Sequence, residues 1–295
     1  MLEKNVFNKN NDGMMKMLRK NWWVIAMIIV LMVPAGMSAK RKKNKHKVFT
    51  TEQAMTQRQS QLVANSSLTA VRVNPRYRNS VKQYAAMTVN FNPSYRVPNC
   101  VSYMLTASMV AVTDGPNAQH RRNYKFYADP SVSGCPEWWE YKRSGYDRGH
   151  MAPANDMRWS RQSMSDCFLM TNICPQDHDM NGGSWNKLEL KVHDWARQHG
   201  KIVVATGPIF NGSGKRIGNN NDIVVPAGFF KVVLDPARNR AIGFLYNNRE
   251  EPGGVKRHAC SVDEVERVTG HDFFSSLPDN VERQVEGTFN FEQWQ

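Results

Sequence analysis

From about residue 75 onward the chain carries short β-type runs separated by turn-rich pieces, with no regular alternation of strand and helix signals. The runs are Val101–Val112, Cys167–Ile173, Lys201–Ala205, Ile223–Val225, Phe229–Leu234 and Ala241–Tyr246. Between them fall segments such as Asn211-Gly212-Ser213-Gly214 and Pro252-Gly253-Gly254. A doubly wound parallel sheet needs a helix after each strand, so this order predicts an α+β domain with a mixed or antiparallel central sheet flanked by helices. A composition that is 41% hydrophobic and 10% aromatic excludes a disordered or fibrous chain and supplies a large core. Trp185, Leu188, Val192 and Trp195 recur at helical spacing, predicting a helix over 184–198 with Ser184 as its cap and Gly200 beyond its end. A second helix, over 261–268, opens on the Ser261/Glu264 pattern of a capping box.

The N-terminal part reads differently. Residues 22–33 are twelve consecutive apolar positions, preceded by Lys16, Arg19 and Lys20 and followed by small residues up to Ala39. As a helix this run would rise only about 18 Å, short of a membrane core of roughly 30 Å. Residues 1–39 are therefore expected to be a signal peptide or, if uncleaved, a signal anchor, making the protein exported, periplasmic or secreted. Residues 40–74 follow as a basic tail and polar linker. The net charge of +13 is concentrated here: residues 1–47 hold 11 bases and two acids, which leaves +4 for residues 48–295. The high charge is thus a weak argument that the folded part, expected over 75–295, meets a polyanion.

Five cysteines cannot all pair within one chain and are too scattered for a disulfide framework. Cys167, Cys174 and His178 could be imagined on zinc, but the gap between the cysteines is unlike that of structural zinc sites, and buried thiols are the better expectation.

Three segments gather groups that phosphate chemistry needs. In Asp147-Arg148-Gly149-His150 a guanidinium, able to bind two phosphate oxygens, sits two residues from an imidazole, able to exchange protons near neutrality. On an extended backbone both face one side, and Gly149 lets the main chain approach a neighbour. The second segment is Asn172-Ile173-Cys174-Pro175-Gln176. The third begins at Asn181 and enters the expected helix through Leu188-Glu189. Taken singly, His150 is an ordinary histidine, Asn172 and Asn181 turn residues, and Glu189 a helix charge.

Together, in this order and within 43 residues, the three segments resemble the DNA/RNA non-specific endonucleases of the endonuclease-G-like group, with a ββα-metal or His-Me finger active site. The likeness runs on through Ala205-Thr206-Gly207-Pro208, through Val225-Pro226 to Val232, and through 261–274, covering roughly residues 74–286. The resemblance implies a role for each motif position. His150 would be the general base toward the attacking water and Asn181 the side-chain ligand of Mg²⁺, with Mn²⁺ as a substitute. Arg148 would stabilise the scissile phosphate, Asn172 would support the site by hydrogen bonding, and Glu189 would orient metal-bound water. It also implies cleavage of DNA and RNA to 5′-phosphate ends.

Mg²⁺ prefers oxygen ligands and sheds water reluctantly, so one amide oxygen from Asn181 is a sufficient protein anchor if the phosphate supplies another. Along a continuous helix, positions 181 and 189 would lie about 12 Å apart, so Glu189 acts through water. The partners expected are DNA and RNA, held through phosphates, and a membrane only through an uncleaved N-terminal segment. Whether the chain forms a homodimer is left open. The competing readings are an exported nucleic-acid-binding protein without catalysis and a phosphodiesterase on small nucleotides. Arg121, Arg122, Trp138, Trp139 and Trp159 are candidates for gripping a polymer that no motif places.

Overall fold

The computed structural model describes residues 67–210 and 214–295; the apolar run at 22–33, the basic block at 40–47 and the linker up to residue 66 lie outside them. The strands are β1 (Ser80–Gln83), β2 (Met87–Asn92), β3 (Val97–Thr106), β4 (Asp147–His150), β5 (Ile173–Gln176), β6 (Lys201–Ile209), β7 (Arg216–Ile217), β8 (Ile223–Val224), β9 (Gly228–Asp235), β10 (Arg240–Asn247) and β11 (Ala259–Cys260). Seven of them form one sheet in the order β1-β2-β3-β6-β9-β10-β11, antiparallel at every pairing. The helices are α1 (Ala107–Thr113), α2 (Ala154–Met157), α3 (Arg161–Cys167), α4 (His178–Met180), α5 (Asn186–His199), α6 (Val262–Thr269) and α7 (Asp279–Gly287). The α+β class and the antiparallel central sheet are as the sequence predicts.

Both faces of this sheet are covered. Leu188, Val192 and Trp195 of α5 pack with Val204, Phe229, Val233 and Phe244 on one face. Val262 and Val265 of α6 and Val285 of α7 pack with Val203, Phe230, Val232 and Leu234 on the other. Successive residues of β9 therefore feed opposite cores, which is why all eight of its residues are buried.

Two expected strands differ from the apolar runs that announced them. The run over 101–112 ends as strand at Thr106, whose Oγ1 accepts the Met109 N–H at 3.3 Å and starts α1. The run over 167–173 is not a strand: Cys167 closes α3, Met170–Asn172 forms a 3-10 turn, and β5 starts only at Ile173. A short, wholly buried apolar run carries no period by which strand and turn can be told apart. Residues 69–74, at the end of the expected linker, are tied to the domain. Ser102 Oγ donates to Thr69 O at 2.5 Å, Arg72 bridges to Asp272, and Asn74 N–H donates to His271 Nδ1 at 3.0 Å.

Candidate active site

Outside the large sheet, β4 and β5 pair antiparallel with His150 opposite Ile173 and Gly149 opposite Cys174. A Cβ on Gly149 would lie 1.8 Å from Gln176 Oε1 and 2.4 Å from its Cγ, so the glycine is what lets the Gln176 side chain cross this ladder. Arg148 and His150, two residues apart on the strand, both reach one cleft, as the spacing predicts. His150 is packed between Phe126 and Phe168, with ring centroids 5.2 and 4.9 Å away, and its Nε2 is buried without a hydrogen-bond partner among the described residues. Burial, reinforced by the positive charges of Arg121 and Arg148, lowers its pKa to about 3, so the ring is neutral at physiological pH.

Asn172 is fully buried and does not reach the cleft. Its Oδ1 accepts the Ala152 N–H at 2.9 Å, and its Nδ2 donates to Ala152 O at 3.0 Å and Cys167 O at 2.9 Å. The Ala152 backbone, two residues beyond His150, is thereby pinned to the turn that leads into β5.

After β5 the chain enters the helical part of the ββα unit. Asp177 Oδ1 accepts the Met180 N–H at 3.0 Å to start α4, and Asn181 follows at the mouth of the cleft. Asn181 Nδ2 donates to Asp147 Oδ2 at 2.9 Å. With its Nδ2 on the Asp147 oxygen, the Asn181 amide is turned so that its oxygen has no hydrogen-bond partner among the described residues. His178 Nδ1 lies 3.1 Å from the same Asp147 oxygen, its side chain 81% exposed.

The expected capping role of Ser184 is not realised. Residues 181–185 are a kinked turn with Gly183 at φ −101°, ψ −106°, and α5 begins only at Asn186. Ser184 instead donates to Glu250 Oε2 from its N–H at 3.0 Å and its Oγ at 2.7 Å, bonds that hold the Glu250 carboxyl below its usual pKa. A Cβ on Gly183 would meet that same oxygen at 2.8 Å. Gly183 thus admits the carboxylate that fastens the kink, which lies between Asn181 and the start of α5.

Glu189, on the first turns of α5, forms part of the cleft wall. Burial pushes its pKa up to about 7, opposed by Lys231, while Asp156 pushes it further up. Lys231 is fully buried, with Nζ 4.7 Å from the Trp185 ring and no hydrogen-bond partner among the described residues. Strand alternation puts it between Phe229 and Val233, on the sheet face that carries α5. Asp156 is likewise buried and accepts from Tyr103 Oη at 2.8 Å, with His193 Nδ1 2.8 Å from its other oxygen. Neither Lys231 nor Asp156 was recognisable from a local motif, since each is meaningful only through residues distant in sequence.

The cleft encloses about 230 Å³ and gathers Arg121, Arg148, His150, Asn181 and Glu189, with Asn155 and Asn186 beside them. Four of the five candidate residues thus share it, and the fifth, Asn172, lies outside it, bonded to the Ala152 and Cys167 backbone. Arg121, which no motif placed, stands over the Phe168 ring at 5.8 Å, as Arg148 does over Phe126 at 4.9 Å. A larger cavity of about 560 Å³, lined by Arg238, Arg240, Phe289 and Trp294, holds none of these residues; chemistry, not volume, selects the smaller one. The cleft's donor set, an amide oxygen freed by Asp147 and a carboxylate, is the hard oxygen type that suits Mg²⁺, Mn²⁺ or Ca²⁺. The imagined zinc set does not form: Cys167 and Cys174 are buried thiols whose pKa burial drives up, and His178 points into solvent.

Comparison with known proteins agrees with this geometry. The family model for DNA/RNA non-specific endonuclease matches residues 64–280. The chain is 29% identical to the zebrafish mitochondrial nuclease EXOG over 222 residues, which is 66% of this chain and 60% of that protein. It is 31% identical to a nuclease of the cyanobacterium Nostoc over 223 residues, 69% and 75% of the two chains. It is 32% identical to human mitochondrial endonuclease G over 173 residues, 53% and 58%. The chain therefore spans about three fifths of the length of the mitochondrial relatives. A crystal structure of an EndoG/EndoGI complex superposes with a TM-score of 0.62 at 26% identity, covering 68% of this chain and 88% of that one.

These relatives overturn the expectation of an exported protein, because the zebrafish and human nucleases, like one from Schizosaccharomyces pombe, are mitochondrial. A basic flank followed by an apolar stretch is a pattern of charge and hydropathy alone, and more than one targeting route uses it.

Proposed function

We propose, from the premise that this chain belongs to the DNA/RNA non-specific endonuclease family, that it hydrolyses phosphodiester bonds of DNA and RNA with the help of Mg²⁺, within a catalytic domain over residues 75–295. The observation that carries the reading is the convergence of Arg121, Arg148, His150, Asn181 and Glu189 on one cleft.

The family's enzymes depend on a divalent metal, and Asn181 is the residue that would hold it here, with Glu189 acting through water. When bound, the ion would supply positive charge to the scissile phosphate and the departing 3′ oxygen. His150, neutral because it is buried beside two guanidinium groups, is ready to take the proton of the attacking water. Arg148 and Arg121, braced on Phe126 and Phe168, present guanidinium groups to phosphate oxygens. Asp147 keeps the Asn181 oxygen turned outward. Contacts of this kind go to phosphate, which has no base identity, and that accounts for indifference to sequence.

The test is cleavage of a nucleic-acid substrate by the wild type and by His150→Ala with matched thermal stability. Loss of roughly 10²- to 10⁴-fold in rate supports His150 as the base; an unchanged rate contradicts it.

A further inference from the structure

On the sheet face away from the cleft, α6 and α7 bring three acids together. Asp263, Glu266 and Glu286 each place one carboxylate oxygen so that all three lie within 4.8 Å of one another. Asp263 is exposed and Glu266 half-buried, whereas Glu286 is only 6% exposed and its Oε1 is sealed from solvent without a hydrogen-bond partner among the described residues. Like charges this close repel, and a buried carboxylate oxygen with nothing to accept is costly to keep.

Among the described residues no basic side chain forms an ion pair with any of the three. Arg267 is turned to Glu264 at 2.6 Å and Arg72 to Asp272 at 3.1 Å. The Phe273 N–H donates to Glu266 Oε1 at 2.8 Å, and Asp263 lies in the first turn of α6. Asp272 and Glu282 add further negative charge, so burial and these neighbours push Glu286 up to about 9 and Glu266 up to about 7.

We propose that Asp263, Glu266 and Glu286 form a second divalent-cation site, of the calcium type, that ties α7 to α6. Oxygens coordinated to Ca²⁺ at about 2.3–2.6 Å can stand up to about 5 Å apart across the ion, while those on Mg²⁺, at about 2.0–2.1 Å, reach only about 4.2 Å. The three oxygens, all within 4.8 Å of one another, fit inside the span across Ca²⁺; three protein carboxylates suit the flexible, carboxylate-rich shell of Ca²⁺, whereas Mg²⁺ keeps several waters and is held by one or two. The exposed side of Asp263 leaves room for the waters that complete a calcium shell. This site is independent of the catalytic reading and stands or falls apart from it.

The test uses the full chain, stripped of metal, with CaCl₂ or MgCl₂ as the probe. Thermal melting and calorimetric titration would be run on the wild type, Glu286→Gln, Asp263→Asn and Asn181→Ala. At saturating Ca²⁺ the Tm of wild type and Asn181→Ala should rise by about 5–10 °C. That rise should be absent from Glu286→Gln and reduced in Asp263→Asn, with Mg²⁺ giving a smaller shift in the wild type. Calorimetry of Asn181→Ala should count one remaining calcium site, which the added Glu286→Gln change removes. An equal Ca²⁺ shift in wild type and Glu286→Gln overturns the proposal. So does a Glu286→Gln protein that melts higher than the wild type while Ca²⁺ moves neither, because the three acids would then be settled by shared protons.

Discussion

His150 owes the persistence of its neutral form on acidification to its surroundings, which at the same time make it a weaker base than a free imidazole. The folded-state pKa, about 3, lies below the 6.5 of an exposed histidine because burial and two neighbouring guanidinium groups disfavour the cation. As pH falls below 6.5 the unfolded chain therefore takes up the proton first. The stability associated with this neutral ring is complete above that pH and is lost progressively toward pH 3, by an amount on the order of a few kcal/mol. A histidine-resolved NMR titration should find His150 neutral down to about pH 4, and urea unfolding of His150→Gln should lose less stability on acidification than the wild type; a midpoint near 6.5 would refute the burial argument. Asp147→Ala, which frees the Asn181 amide to turn over, should raise the metal concentration for half-maximal cleavage about 10- to 100-fold with a smaller change at saturation. At this scale the sequence was informative wherever a residue sat inside a motif. Arg148, His150, Asn181 and Glu189 were all named through the motifs that carry the family resemblance, and all line the cleft. Arg121 was a candidate that no motif could place, and Asp156 and Lys231 were out of reach as site residues, because their places depend on chain segments far from the motifs.

The ββα unit is the element whose integrity the site depends on. Gly149→Ala would set a Cβ within 1.8 Å of Gln176 Oε1. The resulting displacement between β4 and β5 should cost about 1–3 kcal/mol and move His150, so both melting temperature and activity should drop. Asn172→Leu would leave the Ala152 N–H, Ala152 O and Cys167 O without their partner. Denaturant unfolding should show a loss of about 2–5 kcal/mol, and a loss under 1 kcal/mol would mean that water replaces the amide. The sequence placed α5 to within two residues at its start and one at its end, where Gly200 adopts φ 86°. It misplaced the cap because Ser184 answers to Glu250, a residue 66 positions away. The run over 167–173 misled for a similar reason: Asn172, a buried side chain bonded to two backbone segments, turns a stretch whose apolarity alone reads as strand.

At the scale of the molecule, a sheet with a core on each face separates two tasks. One face carries α5 and the cleft, and the other is closed by α6 and α7. The antiparallel order was readable from the missing strand–helix alternation, but the pairing of β3 with β6 and β6 with β9 joins segments that no local pattern links. Because the net charge resides mainly outside residues 48–295, polymer binding should rest on a few guanidinium groups around the cleft. The logarithm of affinity for duplex DNA should fall linearly with that of salt, and the slope should flatten by about one unit in Arg121→Ala. The central claim, a metal-assisted nuclease with His150 as base, is tested most directly by incubating plasmid DNA and RNA with the wild type and His150→Ala, each in Mg²⁺ or EDTA. The account predicts cutting of both polymers by the wild type in Mg²⁺ alone, with His150→Ala inert though still folded and still binding in a salt-sensitive way. Cutting that survives EDTA, or that His150→Ala performs at the wild-type rate, would contradict it.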